Sequence, residues 1–223
     1  SRARVWNWLL EQILPKEEAG SIQGDKSILS HYIGEAYFFR ALAYYQALVR
    51  YGDFPIIDEV LPDDQAILKE LSQRAPRNEV ARFILKDLDT AISRLKDQGF
   101  QNNQRINKQT AQLLKSRVAL FEATFEKYHK GTGRVPGDDT WPGKDMEYNQ
   151  GKTFDIAGEI NFFLTESHEC CQSRCRPLHT DRQLSSDESR FGTNQRMESL
   201  LRYVQPRRFK AAFPKYCFGN NIT

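Results

Sequence analysis

Four side chains in the stretch 131–152 combine flat apolar surface with hydrogen-bonding amides: Trp141, Tyr148, Asn149 and Gln150. Five glycines and two prolines punctuate that stretch and predict an ordered surface loop. An aromatic face beside amides suits a ligand ring with apolar C–H faces and polar edges. Stapling of the loop onto its helices by Trp141 is the plainer reading of the same residue. Asp138, Asp139, Asp145 and Glu147 offer oxygen ligands for calcium, but without the spacing of an EF-hand they read as a solvated acidic loop. Cys170, Cys171, Cys175 and His179 are the right number of ligands for zinc. Their spacing lacks the paired C-x2-C arrangement that turns two thiolates toward one ion, so no metal site is expected. Glu35 is a conceivable general acid, although an ion partner on a helix surface is the simpler role. His31, His129 and the tail histidines lie in no triad context, and neither a Gly-x-Ser-x-Gly elbow nor a His-Glu-x-x-His pair is present. Gly131-Thr132-Gly133 is too short for a phosphate loop. Catalytic residues, a metal and a cofactor are all expected to be absent, and the chain is not expected to be an enzyme.

The 223 residues are enough for one full core or for a piece of a larger protein. The 12% aromatic and 27% charged residues argue against global disorder. No apolar run approaches the roughly eighteen residues needed to span a bilayer, and no targeting signal is visible. The chain opens at Ser1-Arg2-Ala3-Arg4 without a Met, so loss of an upstream segment is expected. The net charge of +3 is unevenly spread: residues 167–223 hold 10 Lys/Arg against 5 Asp/Glu, leaving 22 against 24 in residues 1–166. All four cysteines share that tail. A body without cysteine and slightly acidic overall needs no disulfide and offers no nucleic-acid surface.

Helical periodicity dominates the body. Val5 to Leu14 forms a short segment stopped by Pro15, and a polar connector, 16–26, follows. The strongest segment, Ser30 to Tyr51, places Phe38, Leu42, Tyr45 and Val49 on one stripe and Tyr37, Ala41, Tyr44 and Leu48 on another, leaving a narrow polar strip of Glu35, Gln46 and Arg50. Such a helix packs on several sides, and the Tyr/Phe residues from 37 to 45 read as core. Gly52 and Pro55 end it, and Pro62-Asp63-Asp64 starts another connector. A third helix, Arg77 to Lys96, shows Val80, Phe83, Ile84, Leu88, Ala91, Ile92 and Leu95 on one stripe, with Gly99 at its end. A fourth, Lys108 to Lys130, is capped by Asn107 and closed by Gly131; Ala111, Leu114, Val118, Phe121, Phe125 and Tyr128 form its stripe. A last helical signal covers Phe154 to Leu164. No sustained alternation of period two is present, so the chain is expected to be all-α, a tetratricopeptide-like stack of helical hairpins.

Three ordered segments resemble the SusD/RagB family. Gly34-Glu35-Ala36-Tyr37-Phe38-Phe39-Arg40-Ala41, with Tyr44-Tyr45 and the turn Tyr51-Gly52-Asp53-Phe54-Pro55-Ile56-Ile57, is similar to its Tyr-rich helix and Gly-x-x-Pro turn. Lys86-Asp87-Leu88-Asp89-Thr90-Ala91-Ile92 resembles its Asp-Leu-Asp helix. Lys115-Ser116-Arg117-Val118-Ala119-Leu120-Phe121-Glu122-Ala123-Thr124-Phe125 resembles its Ala-Arg-Val-Ala-Leu-Tyr helix. The resemblance implies a tetratricopeptide-like scaffold, lipid-anchored at the surface of a Bacteroidetes-type outer membrane. It implies capture of an oligosaccharide or other nutrient for a SusC-like TonB-dependent transporter. The cysteine that would carry the lipid is not among these residues. The matched motifs are structural helices and bring no binding residue with them; Trp141, Tyr148, Asn149 and Gln150 become the candidate sugar platform. The runner-up reading is an intracellular tetratricopeptide-like scaffold binding a partner peptide or helix in a groove.

The organisation expected is a SusD-like helical fragment, 1–166, followed by an aberrant, poorly ordered tail, 167–223. Residues 167–214 leave the family pattern, whereas Tyr216-Cys217-Phe218-Gly219-Asn220-Asn221-Ile222-Thr223 resembles a downstream family segment. A frameshift later corrected would explain both and is the expectation. Back-translation of His168 to Cys175, moved one base forward, reads as an Ala/Val-rich helix-forming sequence.

Overall fold

Helix starts in this chain are written in side chains that accept hydrogen bonds from the first free N–H groups. Asp25 accepts from Ser27 N–H, Asp64 from Ala66 and Ile67 N–H, and Asn107 from Thr110 N–H, and a helix follows each. The computed structural model describes residues 2–172, whose elements are α1 (Arg2–Glu18), α2 (Lys26–Tyr51), α3 (Gln65–Leu71), α4 (Arg77–Arg94), α5 (Lys108–His129) and α6 (Ile156–Gln172). Short 3-10 turns occupy Phe100–Asn103 and Glu147–Asn149. Among the described residues no strand forms, and the only pairing of extended backbone is an isolated antiparallel bridge between Phe54 and Ala75. The all-α expectation holds. No helix among the described residues is long and apolar enough to cross a membrane.

The helices stack in order: α1 packs on α2, α2 on α4, α4 on α5 and α5 on α6. The core follows most of the stripes read from the sequence, but Val49 and Tyr128 at their ends are exposed, and Ala123 joins the core from outside them. Ala41, Tyr44 and Leu48 of α2, Val80, Ile84, Leu88 and Ala91 of α4, and Ala111, Val118 and Ala123 of α5 are all buried. Gly34 marks the closest approach: a Cβ there would lie 3.0 Å from Arg94 Cβ and 3.2 Å from the Leu95 backbone nitrogen. A side chain at that position would push α2 off the end of α4.

Three expectations change. Pro15 does not stop α1, which continues to Glu18. The proline removes one backbone donor, but beyond it Ala19 N–H bonds to Pro15 O and the helix closes on Gly20, whose φ is +63°. Gly20 N–H reaches Glu17 O and Ser21 N–H reaches Lys16 O, the Schellman arrangement. A helix also appears in the 62–75 connector. It was hidden because α3 has only seven residues and buries none of them. Finally, Glu35 is not on a solvent strip; it is 7% exposed and bonded to Arg105. The helix after the 131–152 loop crosses the compositional break at 167 and runs to Gln172, with Ser167 buried and paired to the Ser116 hydroxyl. Residues 173–223, and with them Cys175, His179 and most of the stretch expected to be frameshifted, lie outside the described residues.

Candidate functional site

The family-like segments of α2, α4 and α5 are joined by their charges. Arg40 forms a two-pronged pair with Asp87, both bonds 2.7 Å long, and its third nitrogen reaches Asn7 Oδ1 and the Asp58 carbonyl at 3.3 Å. Burial pulls the Arg40 pKa down, but the bonds to Asp87 override it and hold the guanidinium above its ordinary value. Asp89, two residues on, accepts from Lys115 at 2.6 Å, and the same ammonium contacts Glu166 of α6 at 2.6 Å. Glu122 accepts from Arg77 at 2.7 and 2.8 Å, and that guanidinium lies 3.3 Å from the centre of the Phe125 ring. Each of these charges is committed to another element, which makes the segments fasteners of the stack.

The 131–152 loop hangs from this framework through Asp53, just after α2. One Asp53 oxygen accepts the Arg77 backbone N–H at 3.0 Å and the other accepts the Trp141 indole N–H at 2.8 Å. Burial raises the Asp53 pKa, and the bonds from Trp141 and Arg77 oppose that rise. Trp141 is 4% exposed; its ring meets Phe154 edge-on at 5.3 Å. A Cβ on Gly143 would fall 2.2 Å from the indole, so the ring requires glycine beneath it. Asn149 is buried as well and donates to the Gly143 carbonyl at 2.9 Å, while its side-chain oxygen has no partner. Tyr148 is half-buried and Gln150 exposed. The structure thus brings the four residues into one loop, with Trp141 and Asn149 facing inward and Tyr148 and Gln150 retaining surface.

Two of the acidic residues nearby bond within the loop. Asp138 accepts from Gly131 and Gly133 N–H at 2.8 and 3.0 Å, and Asp139 approaches Lys144 at 3.3 Å. Among the described residues no group of His, Cys, Asp and Glu is arranged to hold a metal ion. A separate cleft of about 210 Å³ lies between α1, the 54–63 turn and α3, lined by Asn7, Tyr44, Phe54, Ile57 and Leu68 among others. It is smaller than typical small-molecule sites, which begin near ~300 Å³. Two of its polar side chains are engaged with the backbone: Tyr44 Oη donates to the Ile57 carbonyl and accepts its N–H, and Asn7 donates to the carbonyls of Ile57 and Glu59. Sequence reading missed this cleft because α3 carries no periodic stripe.

Comparison with known proteins bears on the framework more than on the loop. Residues 3–120 match a SusD-like family described as "Starch-binding associating with outer membrane". The SusD-like protein P2 of Formosa agariphila is 33% identical over 109 residues, which is 49% of this chain and 21% of that protein. The crystal structure of a SusD-like protein from Bacteroides fragilis aligns at 32% identity with a TM-score of 0.46, covering 57% of this chain and 23% of the other. The chain therefore spans about a fifth of the length of the curated relative it matches. The 131–152 loop lies beyond the matched residues.

Proposed function

This chain belongs to the SusD-like family of starch-associated outer-membrane proteins, and from that membership we propose that it is part of a non-catalytic, surface-exposed lipoprotein that captures an oligosaccharide or similar nutrient. Delivery is to a SusC-like TonB-dependent transporter, and a lipid anchor ties the protein to the outer membrane. The observation that carries the reading is the coincidence of the family match with the interlocked helices. Residues 3–120 contain Arg40, Asp87, Asp89 and Lys115, whose ion pairs join α2 to α4 and α4 to α5. These charges pair with one another across the helix interfaces, as in a binding scaffold.

Ligand contact is assigned to the 131–152 loop. Tyr148 presents a partly open ring and Gln150 an open amide, and sugars meet proteins through such pairs of apolar face and hydrogen-bonding edge. Trp141 and Asn149 form the base that holds them. Affinity electrophoresis in gels containing starch tests the assignment. The chain should be retarded, and Tyr148→Ala with Gln150→Ala should abolish the retardation without changing the helical circular dichroism. Unaltered retardation of the double variant removes the loop from the site. Failure to co-purify with a TonB-dependent transporter from outer membranes counts against the partner.

A further inference from the structure

The connector between α4 and α5 is fastened to α2 by side chains that titrate. His31 of α2 has no exposed surface. Its Nδ1 accepts the Lys96 backbone N–H at 3.1 Å, and its ring rests against Phe100 with centroids 4.4 Å apart. A ring that accepts at Nδ1 carries its neutral-state proton on Nε2. That atom faces Glu35 Oε1 at 3.4 Å, without the alignment of a hydrogen bond. Glu35 is held by both prongs of Arg105. The Arg105 guanidinium covers the Tyr32 ring, and the Lys96 ammonium lies 4.7 Å from the centre of Phe100. Within the fastened segment Gln101 and Asn102 have φ of 45° and 56°, a left-handed conformation that Asn adopts readily and Gln seldom. The connector is tied to α2 through His31 and Glu35 and to the start of α5 through the bonds of Gln109 with Gln98 and Asp97.

We propose that His31 is a proton-operated latch whose protonation in mild acid releases the 96–107 connector from α2. An imidazolium has no acceptor, so Lys96 N–H and the new Nδ1–H would face each other as two donors. The charged groups around the ring are Glu35 on α2 and Arg105 and Lys96 on the connector. The single carboxylate is already paired, so it compensates an added buried cation poorly beside two others. Burial lowers the His31 pKa below 6.5; Glu35 pulls it upward, and Arg105 and Lys96 push it further down. The sign follows. The closed connector binds fewer protons than the open one below the open-state pKa near 6.5, so closure is intact above it. It weakens about tenfold per pH unit below it, until the closed-state pKa is passed.

NMR on the ¹⁵N-labelled 223-residue chain tests this. The His31 ring nitrogens should report the Nε2–H tautomer at pH 7.5. Amide protection in 96–107, corrected for intrinsic exchange at each pH, should fall as the His31 ring titrates, while the middle of α4 holds. His31→Asn offers a non-titrating oxygen where Nδ1 stood and should keep the connector's protection flat. If that variant fails to fold, coincidence of the wild-type fall with the His31 titration decides. An Nδ1–H tautomer, protection that stays flat through the titration, or the same fall in His31→Asn overturns the latch.

Discussion

Glu126 is a carboxyl group placed where a carboxylate cannot live. It has no exposed surface, and neither of its oxygens has a hydrogen-bond partner. Glu122, one turn earlier, has taken Arg77. Burial first, then the charges of Glu122 and Glu159, push the Glu126 pKa up to about 9 against a smaller pull from Arg77 and Arg82. The group is therefore a neutral acid at pH 7. The folded chain holds one proton more than the unfolded chain between about pH 4.5 and 9, so stability falls as pH rises through that window, by ~1.4 kcal/mol per unit. Glu126→Gln removes the dependence. It should raise stability by about 3 kcal/mol at pH 7, and the gain should vanish near pH 4. Urea unfolding at the two pH values reads it, and equal gains at both would sink the assignment. A second residue-scale prediction concerns the loop. Trp141→Phe keeps an aromatic ring, though a smaller one, and leaves the half-buried Asp53 oxygen without its donor, at a cost of about 1–3 kcal/mol; an unchanged melting temperature would show that the bond contributes nothing. Little of this was legible in the sequence. Trp141 could be read as a staple or a platform because its partner lies 88 residues away, and no local pattern encodes such a contact.

At the scale of elements, apolar periodicity located every long helix, because each buries one continuous stripe and the stripe repeats with the helix. What it could not show is which polar residues join the core. Arg40 and Asp87 lie 47 residues apart, and each alone reads as a surface charge. Together they are a buried two-pronged pair between α2 and α4. Arg40→Met strands Asp87 without its cation and should cost about 3–5 kcal/mol, while Arg40→Met combined with Asp87→Leu should recover most of that loss. A double variant as unstable as the single would mean that the pair is not the source of the loss. The crossing at Gly34 sets a steric limit on the same interface. Gly34→Val puts a branched side chain against Arg94 Cβ and the Leu95 backbone, neither of which can retreat without moving α4. The expected loss is about 2 kcal/mol, measurable by thermal melting. The proline in α1 and the seven-residue α3 escaped sequence reading for opposite reasons. One breaks a rule at a position where a single bond is lost; the other is too short to display a period.

For the described residues as a whole, the packing order is a chain of neighbours, α1 on α2, α2 on α4, α4 on α5, α5 on α6. In such a stack stability is close to a sum of nearest-neighbour interfaces, so local opening should be graded by the number of neighbours. α4 has a helix on each side, and its charges run to both: Asp87 to α2 and Asp89 to α5. α1 has α2 on one side, with further ties from Asn7 to the 57–59 backbone and from Glu17 to Arg94. α3 has no buried residue, and Ile67, Leu68 and Leu71 stay more than a third exposed. Native-state hydrogen exchange should therefore show α3 opening first, α1 next, and the centres of α4 and α5 only with global unfolding. The ordering is independent of the ligand and of the loop, because the fasteners concerned lie within the family-matched segments or beside them. Uniform protection from α1 to α6 would mean that the stack unfolds as one cooperative block. In that case the ion pairs between helices, and not the neighbour count, set the stability of every element.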